Sequence, residues 1–196
     1  MPRLRLAAAP AALLMLVAAT ATAAPVTYKI DPAHTYPSFE TDHWNGLSVW
    51  RGKFNRTQGS IVLDREAGTG TVELQVDISS VDLGHDELNK GVLGPDILDA
   101  AQFPVAVYKG RLTDFDGGAP EKVEGELTLH GVTRPLTLDI ESFKCIDNHP
   151  IEKVEVCGAD AEAEFNRGDF DVNFALDHGF KPTVKLRIQV EAQRQG

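Results

Sequence analysis

An apolar side chain at every second position, recurring over most of the chain, is the constraint that decides what this sequence can fold into. In residues 71–78, Val72, Leu74, Val76 and Ile78 alternate with Thr71, Glu73, Gln75 and Asp77. In residues 184–191, Val184, Leu186, Ile188 and Val190 alternate with Lys185, Arg187, Gln189 and Glu191. A period of two puts successive side chains on opposite faces of extended backbone, so each stretch predicts a strand with one buried face. Residues 122–143 carry the pattern twice. Val123, Gly125, Leu127 and Leu129 share one face, and Leu136, Leu138 and Ile140 follow His130-Gly131-Val132-Thr133. Gly131 permits a tight reversal, so this pair reads as a hairpin. Pro135 falls near a strand start, where its missing N–H costs least.

Shorter strand candidates occupy 26–30, 38–42, 48–55, 59–63, 105–115, 154–166 and 170–176, separated by turns such as 67–70 and 116–120. Strands at this hairpin spacing predict an all-β domain, a sandwich or a barrel; closure into a single antiparallel barrel of about eight strands removes exposed sheet edges. Residues 84–101 lack alternation. There Asp86, Glu87, Leu88 and Lys90, then Ile97 and Leu98, predict a short helical insert interrupted at Gly94-Pro95. The apolar faces are mainly Val, Leu and Ile with few aromatics, which points toward a ligand-sized interior; a filled core fits the same periodicity.

Arg3 and Arg5, the apolar run 6–19 and the small residues Ala21-Thr22-Ala23 read as a cleavable export signal over 1–23. The competing reading is a membrane anchor, but the run is shorter than the ~20 residues a spanning helix needs. No later segment is apolar for long enough to cross. The expected mature chain is therefore a periplasmic domain over 24–196. Without Arg3 and Arg5, 17 of the 19 Lys and Arg remain against 29 Asp and Glu. That acidic surface repels nucleic acid and anionic headgroups.

Cys145 and Cys157 are the only cysteines. In an oxidising compartment a lone pair forms a structural disulfide, and Asp147-Asn148-His149-Pro150 can fold the chain back between them. A metal thiolate site and a redox pair are the rivals; both lack C-x-x-C spacing. The histidines show no H-x-H or H-E-x-x-H, so no metal site is expected. No G-x-S-x-G elbow and no phosphate loop is present, and the chain is read as a non-enzyme without a cofactor.

The chain resembles the YceI-like family, exported lipocalin-like barrels associated with binding polyisoprenoids or other long-chain lipids. Tyr28-Lys29-Ile30-Asp31-Pro32-Ala33-His34 is similar to the family's opening, which Phe39 and His43 continue. Gly52-Lys53-Phe54 with Gly59 resembles its second hairpin, and residues 76–82 the strand end before its helical insert. Residues 125–138, from Gly125-Glu126-Leu127-Thr128 to Leu138, resemble its most recognisable hairpin, and 166–170 another segment. His85, Lys90, Asp96 and Phe103-Pro104 fit the insert, whereas Leu88, Gly91 and Leu93 stand where the family carries basic or His residues.

The resemblance implies an elongated interior that takes an amphipathic lipid, an isoprenoid quinone, a polyprenyl compound or a fatty chain. Val72, Leu74, Val76, Leu127, Leu129, Leu136, Leu138, Leu186 and Ile188 would line it or pack beneath it. Phe39, Trp44, Trp50 and Phe54, crowded into the first third with Tyr36, would form a rim that guides the chain, or pack as ordinary core. His34 and His43 flank one short strand and could converge, either to orient a polar head or as hydrogen-bonded structural groups. An enzyme of hydrolase type using these two histidines, and a stress-related interaction protein with a filled barrel, are the alternatives. A homodimer stays open.

Overall fold

The computed structural model describes residues 24–196; the expected export signal over 1–23 lies outside the described residues. Eleven strands form one sheet. They are β1 (Val26–Ile30), β2 (Tyr36–His43), β3 (Ser48–Phe54), β4 (Thr57–Asp64), β5 (Thr69–Asp77), β6 (Val81–Asp82), β7 (Val105–Asp116), β8 (Ala119–Leu129), β9 (Val132–Ile146), β10 (Val156–Asn166) and β11 (Thr183–Arg194). The order β1-β4-β5-β7-β8-β9-β10-β11 returns to β1 through Tyr28↔Arg194, Lys29↔Gln193 and Ile30↔Ala192, which closes an eight-stranded antiparallel barrel. β2 takes over from β1 along the other half of β11, with Val184↔Thr41 to Gln189↔Tyr36, and β3 and β6 continue the wall beyond it. One edge of β11 thus serves two strands in succession, and the barrel is longer than β1 alone could make it.

Outward faces of the strands pair by charge across the ladder. Glu73 faces Lys109 at 2.8 Å, Glu164 faces Lys185 at 2.7 Å, and Glu162 pairs with Arg187, each in direct register. These pairs are half-exposed and stabilise little, but opposite signs across the ladder specify register. Inward, Tyr28, Ile30, Leu63, Val72, Tyr108, Leu112, Val123, Leu136, Leu138 and Ala192 are buried.

The β8–β9 hairpin turns at His130 and Gly131, both with positive φ (51° and 77°), the conformation two-residue hairpin turns require. Pro135 pairs with Glu126 on β8, in the half of β9 that lies beyond the β10 pairing. A register shift near Ser142 moves the inward face from Ile140 to Phe143 and Cys145. One extra residue in a strand has this effect, because side chains alternate with period two.

Gly125 leaves room for the ring of Tyr108. A Cβ there would lie 2.5 Å from the Lys109 carbonyl oxygen and 2.7 Å from Tyr108 Cζ. The Tyr108 hydroxyl reaches the carbonyl oxygens of Val123 at 3.0 Å and Leu136 at 2.9 Å. Gly125→Ala is expected to lower stability by about 1–3 kcal/mol through overpacking, measured by urea unfolding; unchanged stability would mean that the ring moves freely.

The insert expected over 84–101 forms helix α1 (Asp86–Val92) followed by turns. The strand expected over 170–176 is absent. Asn166 accepts a hydrogen bond from the Gly168 N–H at 2.9 Å and opens a 3-10 turn over Arg167–Phe170. Asp171 and Ala175 then adopt left-handed φ values of 60° and 57°, which no strand tolerates. The alternation of Phe170, Val172, Phe174 and Leu176 is genuine, yet it serves a coiled cap: Phe170 and Val172 are buried, and the Phe170 ring meets Phe165 edge-on at 5.2 Å.

Candidate functional site

The barrel is not filled. It holds a cavity of about 380 Å³, within the range of roughly 300–1,000 Å³ typical of small-molecule sites. The space exists because of β10. Its positions on the cavity include Cys157, Ala159 and Ala161, small side chains beside the larger Ile140, Leu186, Ile188 and Val190 of the neighbouring strands. Ala106 and Ala192 add to the same effect elsewhere on the wall.

Of the residues read from the sequence as lining, Val72, Leu74, Val76, Leu127, Leu129, Leu136, Leu138, Leu186 and Ile188 all border this cavity. Phe39, His43, Trp50 and Phe54 border it as well. Trp44 does not; it is 54% exposed and packs its ring 5.1 Å from Phe180, which is on the wall. His34 also lies off the cavity. It sits in the exposed turn between β1 and β2, with Nδ1 2.8 Å from Asp31 Oδ2. The two histidines do not converge, because all of β2 separates them, roughly 20 Å of extended backbone.

The hydrogen bond that the His34 ring donates to Asp31, together with the carboxylate's charge, raises the His34 pKa above the ordinary value of about 6.5. Such a group contributes stability below pH 6.5 and loses it as pH climbs through the raised value. NMR titration is expected to show His34 titrating above the ordinary range and returning toward it in Asp31→Asn; a titration unmoved by that substitution would contradict the pairing.

Residues that sequence reasoning passed over complete the wall. Leu83, Val92, Ile97 and Leu98, from the segment without alternation, cover one part of it. Val172, Phe174 and Phe180 come from the connection between β10 and β11. Tyr28 and Tyr108 bring the only phenols. Tyr28 donates to Glu155 Oε2 at 2.9 Å, and burial with that bond pushes its pKa up to about 12; burial raises Tyr108 further. Both stay protonated and are committed to protein partners.

Exposure of the lining rises at Phe174 (48%), with His43, Trp50 and Phe180 half-buried, and this marks the mouth. There the His43 ring stacks on Trp50 at 4.2 Å and meets Phe180 edge-on at 5.5 Å. Ser48 Oγ is 3.3 Å from His43 Nδ1. Arg167 and Asp42 are the charged side chains on the wall. The guanidinium donates from Nη1 to the Val172 carbonyl and from Nη2 to the Phe174 carbonyl, both at 2.8 Å. Asp42 accepts from the Lys181 backbone N–H at 3.0 Å, which holds its carboxyl below the usual range.

Cys145 and Cys157 face each other in register and form a disulfide, with Cα atoms 4.0 Å apart. Both sulfurs are consumed there, leaving no thiolate for a metal. Among the described residues no helix is long and apolar enough to cross a membrane.

A closed antiparallel barrel around one apolar cavity with an aromatic mouth defines a lipocalin-like protein. Residues 28–192 match the YceI-like domain family, and the chain belongs to it. Protein YceI of Escherichia coli is 31% identical over 185 residues, covering 93% of each chain. A UPF0312 protein of Vibrio parahaemolyticus is 31% identical over 171 residues, 86% of this chain and 87% of that one. Among solved structures, Burkholderia cenocepacia BcnA superposes with a TM-score of 0.67 at 20% identity, over 84% of this chain and 99% of its own. A polyisoprenoid binding domain from Saccharophagus degradans gives 0.59 at 16% identity, over 86% and 98%.

Proposed function

We propose that residues 1–23 direct export, that residues 24–196 form the mature periplasmic protein, and that this protein carries one long apolar chain, isoprenoid or fatty, inside its barrel. The observation that carries the reading is the cavity wall, built almost wholly from aliphatic and aromatic groups, with its phenols already paired. Burying ten methylenes of a tail gains about 8 kcal/mol at ~0.8 kcal/mol each, enough for micromolar binding with no polar contact at all. The described polyisoprenoid binding of the Saccharophagus domain, which shares the fold, supports the same class of ligand. The disulfide suits an oxidising compartment.

Binding, rather than catalysis, suits the histidines: His34 is paired with Asp31 away from the cavity, and His43 is stacked between rings. A filled-barrel interaction protein has no use for the cavity. The chain's only tryptophans, Trp44 and Trp50, sit at the mouth, so their emission reports occupancy. Titrating lipid-stripped protein with a long-chain prenol should change that emission and saturate at one chain per barrel. No saturable change, with no chain retained on gel filtration, would overturn the carrier reading.

A further inference from the structure

If the barrel carries an apolar chain as proposed above, that chain has to pass between a lipid phase and the mouth, and every methylene exposed to water on the way opposes the transfer. The rim of the mouth bears on how that gap is closed. At the β2–β3 tip Trp44 is 54% exposed, Leu47 77% and Val49 49%, and Phe174, on the connection between β10 and β11, is 48% exposed. The Trp44 ring lies 5.1 Å from that of Phe180, a cavity residue, and Phe174 is itself on the cavity wall. One apolar surface therefore runs from outside the barrel to its interior. The fold holds the tip in this pose against local preference. Trp44, Asn45 and Gly46 have φ of 52°, 53° and 92°, a left-handed run that a bulky side chain seldom joins. Asp42 secures it: its carboxylate accepts the Lys181 backbone N–H at 3.0 Å and binds the backbone of Asn45 and Gly46, which ties the tip to the β10–β11 connection.

Charge narrows what can sit on this rim. In a chain with 29 acidic residues against 19 basic, residues 43–50 and 172–176 hold no Asp, Glu, Lys or Arg. The Lys181 ammonium stands beside Gly46 of the tip, where headgroup phosphates would meet it. Trp pairs a large apolar face with a polar N–H, the combination that seats a protein at the boundary between lipid and water. A polypeptide partner would call for more hydrogen-bonding side chains than Asn45, Ser48 and Asn173 offer. A second exposed apolar set, Ile146, Ile151 and Val154, lies at the opposite end of the barrel; Asp147, Glu152 and Lys153 interrupt it, and none of the three borders the cavity. We infer that Trp44, Leu47 and Phe174 dock the mouth on the surface of a phospholipid bilayer, so that a chain passes between membrane and barrel without entering water.

The test is flotation of lipid-stripped protein with phosphatidylcholine vesicles. The parent should float with them and stay bound at high salt, because the contact is apolar. Leu47→Glu should lower partitioning at least ~10-fold, and Trp44→Asn should do likewise. Asparagine tolerates a positive φ, so the second variant keeps the shape of the tip. Both should retain the parent's circular dichroism, and Leu47→Glu its affinity for farnesol supplied in solution. Ile151→Glu, at the far end, should float like the parent. Parent protein that takes up farnesol yet stays in the soluble fraction would overturn the docking inference and leave the carrier reading standing. Protein that floats but never takes up a chain would sink the carrier reading and leave docking in place. Equal loss of flotation in Ile151→Glu would remove the mouth from the contact and overturn the inference. So would a dimer in sedimentation that Leu47→Glu dissociates, which would assign the patch to a second copy of the chain.

Discussion

Ala161→Phe is expected to abolish uptake of a long apolar chain while leaving the barrel folded. Ala161 points inward from the middle of β10, between Ile140 on β9 and Ile188 on β11, and borders the cavity. In a close-packed core an added ring costs about 1–3 kcal/mol through strain. Here the ring enters empty space and makes the dispersion contacts a ligand would have made. Each methylene it displaces from a bound tail forfeits about 0.8 kcal/mol, so displacing four weakens binding more than ~100-fold. The melting temperature should stay within a few degrees of the parent. Uptake as tight as in the parent would show that the chain does not lie against β10. Glu164→Gln, on the outer face of the same strand, should leave uptake unchanged.

The second large effect concerns the disulfide. Cys145 and Cys157 lie 12 positions apart in the sequence and join the end of β9 to the start of β10, across a loop that carries the exposed Ile151 and Val154. On the loop-entropy account, a link closing so short a loop restrains the unfolded chain by about 3 kcal/mol. The double variant Cys145→Ala/Cys157→Ala should therefore unfold at a markedly lower temperature, by roughly 6–12 °C for a domain of this size. Reducing agent should lower the parent's melting temperature similarly and leave the variant's unmoved. Although Cys157 also borders the cavity, Cys→Ala changes the wall little, and the variant should keep its ligand affinity to within a few-fold when assayed well below its melting point. Equal melting temperatures for oxidised parent and variant would contradict this account.

Much of the barrel was legible because its strands have one wet and one dry face. Alternation in 71–78, 122–143 and 184–191 marked inward residues that do line the cavity, and Gly131 marked a turn that does reverse the chain. The same signal misled at 170–176, where apolar alternation belongs to a capping coil. Asn166 and the left-handed residues Asp171 and Ala175 set that backbone; aspartate only favours a positive φ and alanine does not announce one.

The cavity itself was harder to see. Its cause is small side chains, and Cys157, Ala159 and Ala161 alternate with Gly158, Asp160 and Glu162 as regularly as any valine run. Weighing the volume of the inward residues, and not only their polarity, would have exposed a thin-walled strand. The convergence considered for His34 and His43 failed for a metric reason: a strand of eight residues holds its ends far apart. The apolar cover from Leu83, Val92, Ile97 and Leu98 had no periodicity to reveal it, since short turns arrange side chains by packing alone.

Native mass spectrometry of the protein, purified without detergent, tests the central claim most directly. A population heavier than the polypeptide by one lipid mass is expected, released on unfolding as a compound with a long apolar chain, and absent from Ala161→Phe. Protein that is uniformly at the polypeptide mass, and stays so after incubation with prenols, quinones and fatty chains, would contradict it.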